Sequence, residues 1–196
     1  ECDVLDTSSV EAAVDAASAD APLASAVHSV AFANREDLES DFSATGIEGF
    51  RIALEVSAYS LLPVARAASA KMPDGGSILT LTFHGADKVY PGYNVMGVAK
   101  AALENEVKQL AAEYGRRGIR VNAVCPGGVR TEAIAHYFET VEGSEAASAA
   151  TPAMRRLAEP SEIADVVAFL CSDRASFVPG HSMVADGGVL VNPHTL

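Results

Sequence analysis

The chain has 196 residues, 49% of them hydrophobic and 20% charged, with 9 prolines and 15 glycines. That is enough apolar sequence for one buried core and excludes wholesale disorder. Fourteen basic against 26 acidic side chains leave a net charge of −12, the wrong sign for a generic binder of nucleic acid or anionic membrane. Cys2, Cys125 and Cys171 are too scattered for a disulfide framework or a Cys-x-x-Cys metal site, which points to a reducing cytoplasm. Neither a signal peptide nor an apolar run of membrane-spanning length is visible. The first residue is Glu rather than Met, as expected of a processed or incomplete chain.

In chain order, Ser8 to Ala19 predicts a helix capped by Ser8 or Ser9, and Leu23 to Phe32 predicts a strand buried on both faces. Asp37 to Gly46 is loop-like. Ile47 to Lys71 predicts a long helix, bent or broken at Pro63. After the turn Pro73–Gly76, Ser77 to Phe83 is a second strand. Tyr93 to Arg117 is the clearest helix, with Ala99, Leu103, Val107, Leu110 and Tyr114 on one stripe and Gly115 or Gly118 closing it. Ile119 to Val124 is a third strand, Ser161 to Cys171 a helix and Ser182 to Ala185 a short last strand. Strands alternating with long helices mean right-handed crossovers and a parallel sheet. Between Thr131 and Met154 lies a long irregular stretch, expected to act as a substrate lid on a single domain spanning 1–196.

The chemistry concentrates in Pro91-Gly-Tyr93-Asn-Val-Met96-Gly-Val-Ala-Lys100. Seven helical positions are almost two turns, so Tyr93 and Lys100 share a face about 10 Å apart along the axis. A phenol beside an ammonium group is a donor pair, the positive charge favouring phenolate and strengthening the hydroxyl as an acid. On spacing alone, an exposed lysine and a half-buried tyrosine on an ordinary helix would explain the pattern as well.

Several strings extend it: CDV at 2–4, HSVAFA at 28–33, SAYS at 57–60, YNVMGVAK at 93–100, GIRVNAV at 118–124, AFLCSD at 168–173 and ADGG at 185–188. Together they make the chain similar to the bacterial NADH-dependent enoyl-[acyl-carrier-protein] reductases, a divergent branch of the short-chain dehydrogenase/reductase superfamily. The common superfamily spacing, Tyr-x3-Lys, would need a tyrosine where this chain has Met96. Tyr93 stands instead in the Tyr-x6-Lys arrangement of the enoyl reductases.

The resemblance implies an α/β, Rossmann-like doubly wound parallel sheet and a reduction of the trans-2 double bond of an enoyl thioester by NADH. By it, Tyr93 hydrogen-bonds the thioester carbonyl and stabilises the enolate, while Lys100 holds the nicotinamide ribose. Asp3 and Val4 would meet adenine, Val30 and Ala33 would lie along the cofactor and acyl thioester, and Val129 and Thr131 would meet the nicotinamide carboxamide and phosphates. Phe83 would form an aromatic wall for the acyl chain, with Met96 also on the substrate side. The superfamily's catalytic serine is missing from the second strand, whose later hydroxyls are Thr80 and Thr82.

Two departures qualify this. By the resemblance, Glu1-Cys2-Asp3 ends a third strand, so the first two strands and the glycine-rich loop that holds pyrophosphate are absent, and NADH is expected to bind poorly or not at all. The lid carries Glu132, Glu139, Glu142 and Glu145 with no Lys or Arg before Arg155, although acyl carrier protein is itself acidic. Either Arg155 and Arg156 suffice, or docking is weak, or the carrier differs.

Two other readings stay open. One is a keto or hydroxy oxidoreductase of the same superfamily, marked by activity with acetoacetyl but not crotonyl thioester. The other is a non-catalytic remnant that only oligomerises. The resemblance also implies a homotetramer. The five histidines show no metal spacing, and His28 is expected to be a structural hydrogen-bonding residue.

Overall fold

The computed structural model describes residues 2–132, 134–135 and 144–191. Four strands, β1 (Ser25–His28), β2 (Gly76–Leu81), β3 (Ile119–Pro126) and β4 (Ser182–Ala185), pair in that order, all parallel. The helices are α1 (Thr7–Ala17), α2 (Arg35–Glu39), α3 (Ile47–Leu54), α4 (Leu61–Ala70), α5 (Asn94–Tyr114), α6 (Ser144–Ala150) and α7 (Pro160–Cys171).

Alternation along the strands builds two cores, because successive side chains leave opposite faces of a sheet. Ile78, Val121 and Ala123 face α4 and α5, packing with Leu61, Ala65, Leu103 and Val107. Leu79 and Val124 face the other way, onto Ile163 and Leu170 of α7. The sheet is therefore covered on both faces, as a doubly wound fold requires. Strand β3 is buried along almost its whole length, and its polar residues are put to use. The Arg120 guanidinium donates to the Cys171 and Ser172 carbonyls at the end of α7, at 3.4 and 3.1 Å. Asn122 donates to the Val178 carbonyl and accepts the His181 N–H, which aligns β4.

Several sequence expectations change. The strand predicted over Leu23 to Phe32 is only four residues long; Ser29 to Phe32 leaves the sheet and turns across its end. Asp6, not Ser8 or Ser9, caps α1 by accepting the Ser8 N–H. The Asp37–Gly46 loop begins inside the short α2 and includes a 3-10 turn at Phe42–Ala44. The expected irregular stretch contains α6, although Glu139 and Glu142 lie outside the described residues.

The break expected at Pro63 comes earlier. Glu55–Tyr59 forms a wide π turn, closed by Ser60 N–H donating to the Glu55 carbonyl at 3.1 Å. Pro63 then sits in the first turn of α4, where its missing N–H needs no partner. Tyr93 precedes α5 rather than starting it, and Gly118 ends the segment in the left-handed conformation (φ 70°) that glycine adopts without strain.

Leu103 is fully buried between α5 and the sheet. Leu103→Ala should lower unfolding free energy by about 2–5 kcal/mol in a urea titration, with the far-ultraviolet dichroism of the native state unchanged.

Candidate functional site

Ligands of open parallel sheets bind beyond the C-terminal ends of the strands. There, Ser29, Val30, Ala31, Leu81, Thr82, Phe83, Tyr93 and Lys100 line a cavity of about 390 Å³. Of the four residues expected on the acyl or cofactor path beside Tyr93 and Lys100, Phe83 and Val30 line this cavity, and Ala33 and Met96 do not.

Lys100 is 6% exposed, and its Nζ donates to the Leu81 carbonyl, at the end of β2, at 2.8 Å. One ammonium hydrogen is spent on that bond, leaving two for a ligand. Burial pulls the ammonium down from 10.5 to about 8. Tyr93 is half-buried, and burial pushes its phenol upward, with the neighbouring Cys125 adding to the rise. This corrects the expectation that the lysine charge makes the phenol a stronger acid. In this geometry desolvation dominates, so the Tyr93 hydroxyl stays protonated and acts as a neutral hydrogen-bond donor.

The Tyr93 ring is gripped from two sides. Phe83 packs against it with ring centroids 4.8 Å apart, and Tyr90 lies 4.9 Å from Phe83 on the same aromatic wall. The Gly85 backbone presses so close that a Cβ there would stand 2.4 Å from Tyr93 Cδ1. Asn94, in the left-handed region (φ 35°) that asparagine tolerates, donates its amide to the Leu38 and Ser40 carbonyls and holds α2 beside the helix start.

The HSVAFA and SAYS strings prove to be bonded to one another. Ser57, on the π turn, accepts the Phe32 N–H at 2.9 Å and donates to the Phe32 carbonyl at 3.0 Å. Ser60 donates to the Val56 carbonyl, so its oxygen accepts from His28 Nε2 at 2.7 Å, and His28 Nδ1 in turn accepts from the Thr80 hydroxyl at 3.0 Å. Burial, then the Lys100 charge, pulls His28 down to about 4, so it stays neutral and structural. The π turn thus carries the hydroxyls that hold the Ser29–Phe32 wall, a use of wide turns common at functional sites. The Thr82 hydroxyl, just past β2, donates to Glu104 at 2.8 Å, so Thr80 and Thr82 are both occupied.

Other sequence-selected residues stand apart. Met96 is buried within α5 (7% exposed) and is not among the residues lining the Tyr93–Lys100 cavity. The Asp3 carboxylate accepts the Leu5 N–H at 2.9 Å in a turn, and Val4 sits in the same turn ahead of α1. Val129 pairs with Ala158 in a parallel bridge, and the Thr131 hydroxyl accepts the Ile134 N–H. In the lid, Glu145 is paired to Arg130 at 2.9 Å; just beyond it, Arg156 grips Glu162 at 2.6 and 2.7 Å and Arg155 donates to the Ala150 carbonyl. Both arginines considered for carrier docking therefore have partners within the chain.

Among the described residues, no group of His, Cys, Asp and Glu is disposed to hold a metal, and no helix is long and apolar enough to cross a membrane.

The family model for enoyl-(acyl carrier protein) reductase matches residues 1–190. The chain is 43% identical over 162 residues to the NADH-dependent enoyl-[acyl-carrier-protein] reductase FabI of a Nostoc species, covering 83% of this chain and 62% of that protein. It is 38% identical over 191 residues to enoyl-[acyl-carrier-protein] reductase [NADH] 1 of Rhizobium meliloti, covering 95% of this chain and 69% of that one. The fold superposes on the enoyl reductase of Anaplasma phagocytophilum in complex with NAD, with a TM-score of 0.86, 36% identity and coverage of 97% and 71% of the two chains. For the Bacillus cereus enzyme with NADP+ and an indole naphthyridinone, the values are 0.87, 39%, 97% and 74%. The chain thus spans 62% of the length of the first of these curated relatives.

The buried Lys100 has a stability signature. Below pH 8 the lysine is charged in both folded and unfolded chains, so its full burial penalty is present; between about 8 and 10.5 the folded chain sheds the proton first, and stability rises with pH. Lys100→Met should therefore be more stable than the parent at pH 7, by on the order of 2 kcal/mol. The gap should close towards pH 10 in urea titrations of the two chains; a gap that widens would contradict a buried charged lysine.

Proposed function

The chain belongs to the enoyl-(acyl carrier protein) reductase family, and on that premise we propose that it serves an NADH-dependent reduction of the trans-2 double bond of an enoyl thioester in fatty-acid synthesis. The observation that carries the proposal is the sharing of one 390 Å³ cavity by Tyr93 and Lys100 at the ends of the parallel strands.

The residues on the nicotinamide side suit the cofactor. Lys100 Nζ keeps two hydrogens beyond its bond to Leu81, the number needed for a pair of ribose hydroxyls. Val30, Ala31 and Leu81 offer an apolar surface to a flat ring. Among the described residues, no G-x-G-x-x-G turn opens a helix to receive pyrophosphate. When bound, the nicotinamide supplies the hydride that reaches the β-carbon of the substrate.

The chain's own part is electrostatic. As the β-carbon gains hydride, negative charge moves to the thioester oxygen, and a donor aimed there lowers the barrier. The Tyr93 hydroxyl suits that task because burial keeps it protonated. Lys100 adds a positive charge to the same cavity and orients the sugar. The α-carbon then takes a proton from solvent, giving the saturated thioester and NAD+. Phe83 carries no hydroxyl and offers an aromatic wall to the acyl chain.

A tyrosine at position 96 would have favoured a keto or hydroxy substrate. Here that position is a buried methionine, which supports the enoyl reading. The carrier is proposed to be acyl carrier protein, held through surfaces other than the internally paired Arg155 and Arg156.

Consumption of NADH in the presence of a crotonyl thioester tests the proposal. Tyr93→Phe should lower kcat/KM about 10²-fold at unchanged melting temperature. Lys100→Ala should weaken NADH binding in calorimetric titration. Full turnover in Tyr93→Phe would remove the phenol from the reaction, and reduction of acetoacetyl but not crotonyl thioester would assign a different substrate class.

A further inference from the structure

Beyond the cavity walls, three buried side chains from the ends of three strands meet in a line. His84 follows β2, Cys125 lies near the end of β3, and Asp186 follows β4. They are 4%, 3% and 9% exposed. His84 Nδ1 lies 3.3 Å from Cys125 Sγ, and His84 Nε2 lies 3.0 Å from Asp186 Oδ2. The carboxylate also accepts the Gly188 and Leu190 N–H groups at 2.7 and 2.9 Å. These amides and nearby His84 outweigh the opposing effect of burial and hold Asp186 below the usual carboxylate range.

A Cys–His–Asp line invites comparison with a nucleophilic triad, but the chemistry is wrong. Burial pushes the Cys125 thiol up to about 12, and the carboxylates of Glu104, Asp186 and Asp87 add to the rise. The thiol is 3% exposed and held protonated, so it lacks both the thiolate character and the access that a nucleophilic cysteine needs. His84 also stands between the other two, so the three cannot share an ion.

What the line does have is polarity. A bare Nε2 lone pair 3.0 Å from a carboxylate oxygen would be repelled, so Nε2 carries the hydrogen. Its N–H is angled off the line to Oδ2, and no other described acceptor meets it squarely. With Nε2–H facing Asp186, Nδ1 is the ring nitrogen left to face Cys125, whose S–H can donate to it.

His84 is the middle residue of Phe83-His84-Gly85, and its two neighbours are the groups that grip the Tyr93 ring. Phe83 stacks on that ring at 4.8 Å, and the Gly85 backbone abuts it. Behind Gly85, its carbonyl oxygen lies where a Cβ on Gly97 of α5 would come within 2.7 Å. The segment is wedged between α5 and the ring, so any shift of its anchor moves the ring.

We propose that His84, held between Cys125 and Asp186, is a positioning residue that sets the aim of the Tyr93 hydroxyl and ties it to the turn after β4. The proposal rests on the reductase reading for its effect on turnover, but the anchor itself is a property of the folded chain.

The test compares Cys125→Ser, which keeps a donor to His84, with Cys125→Ala, which does not. If Cys125 acts by hydrogen bonding, the serine variant keeps kcat/KM within about twofold and the alanine variant loses about fivefold. If it only fills space, alanine is the milder change, because a hydroxyl buried in an apolar site costs more than a methyl. Alanine equal to or better than serine overturns the proposal.

Nuclear magnetic resonance of the 196-residue chain supplies a readout independent of turnover. The His84 ring should appear as the Nε2–H tautomer, and the Tyr93 ring signals should shift in Cys125→Ala but not in Cys125→Ser. An Nδ1–H tautomer, or Tyr93 signals unmoved in both variants, overturns the anchor. Signals that move as expected in a chain without thioester-dependent NADH consumption would uphold the anchor independently of the reductase reading.

Discussion

A single hydrogen bond, from the Lys100 ammonium to the Leu81 carbonyl, sets the relation between helix and sheet on which the site depends. It joins the second turn of α5 to the end of β2, in the helix rotation that the buried stripe of Ala99, Leu103 and Val107 sets against the sheet. With that rotation set, a residue seven positions earlier must come to the same cavity, and that residue is Tyr93. The bond holds a cation in a place that solvent barely reaches. Burial lowers the lysine towards pH 8 and raises the tyrosine, so the two groups differ in character: one cation close to giving up its proton, one phenol that keeps it. Such a pair suits stabilisation of charge developing on a neighbouring oxygen better than it suits proton donation by an activated phenol.

Around that bond the remaining polar groups act as supports. The π turn at Glu55–Tyr59 brings Ser57 and Ser60 inward, where one clamps Phe32 and the other His28. The same strand ends are tied, towards β4, by His84, Cys125 and Asp186. Each support uses a buried side chain to join segments distant in the chain. The cavity is thereby framed by loops that have little regular structure of their own.

Much of this was legible in the residues themselves. Strand and helix order followed from hydrophobic period, because a buried parallel strand such as Ile119–Pro126 and an amphipathic helix such as α5 have different repeats. The Tyr93–Lys100 pairing followed from helical geometry and from the resemblance carried by YNVMGVAK. What escaped were features that depend on three-dimensional partners. Pro63 announced an irregularity but not its place, since the wide turn that accommodates it lies one turn upstream. Leu23 to Phe32 had the composition of a long strand, yet the two-sided grip of Ser57 on Phe32 draws its second half out of the sheet. The Tyr93 shift runs opposite to the expectation from spacing because burial, with Cys125 adding to it, sets its direction. Cys125, His84 and Asp186 are more than forty positions apart from one another, and only the convergence of strand ends unites them.

The proposed reduction depends on where a thioester oxygen would sit relative to Tyr93 and Lys100. A crystal structure of the chain with NAD and an enoyl thioester, or an unreactive saturated analogue, measures that directly. The account predicts the Tyr93 hydroxyl within hydrogen-bonding distance of the thioester oxygen and the Lys100 ammonium on the ribose hydroxyls, with its bond to Leu81 intact. A thioester bound elsewhere, or a Tyr93 hydroxyl turned away from its oxygen, would contradict it.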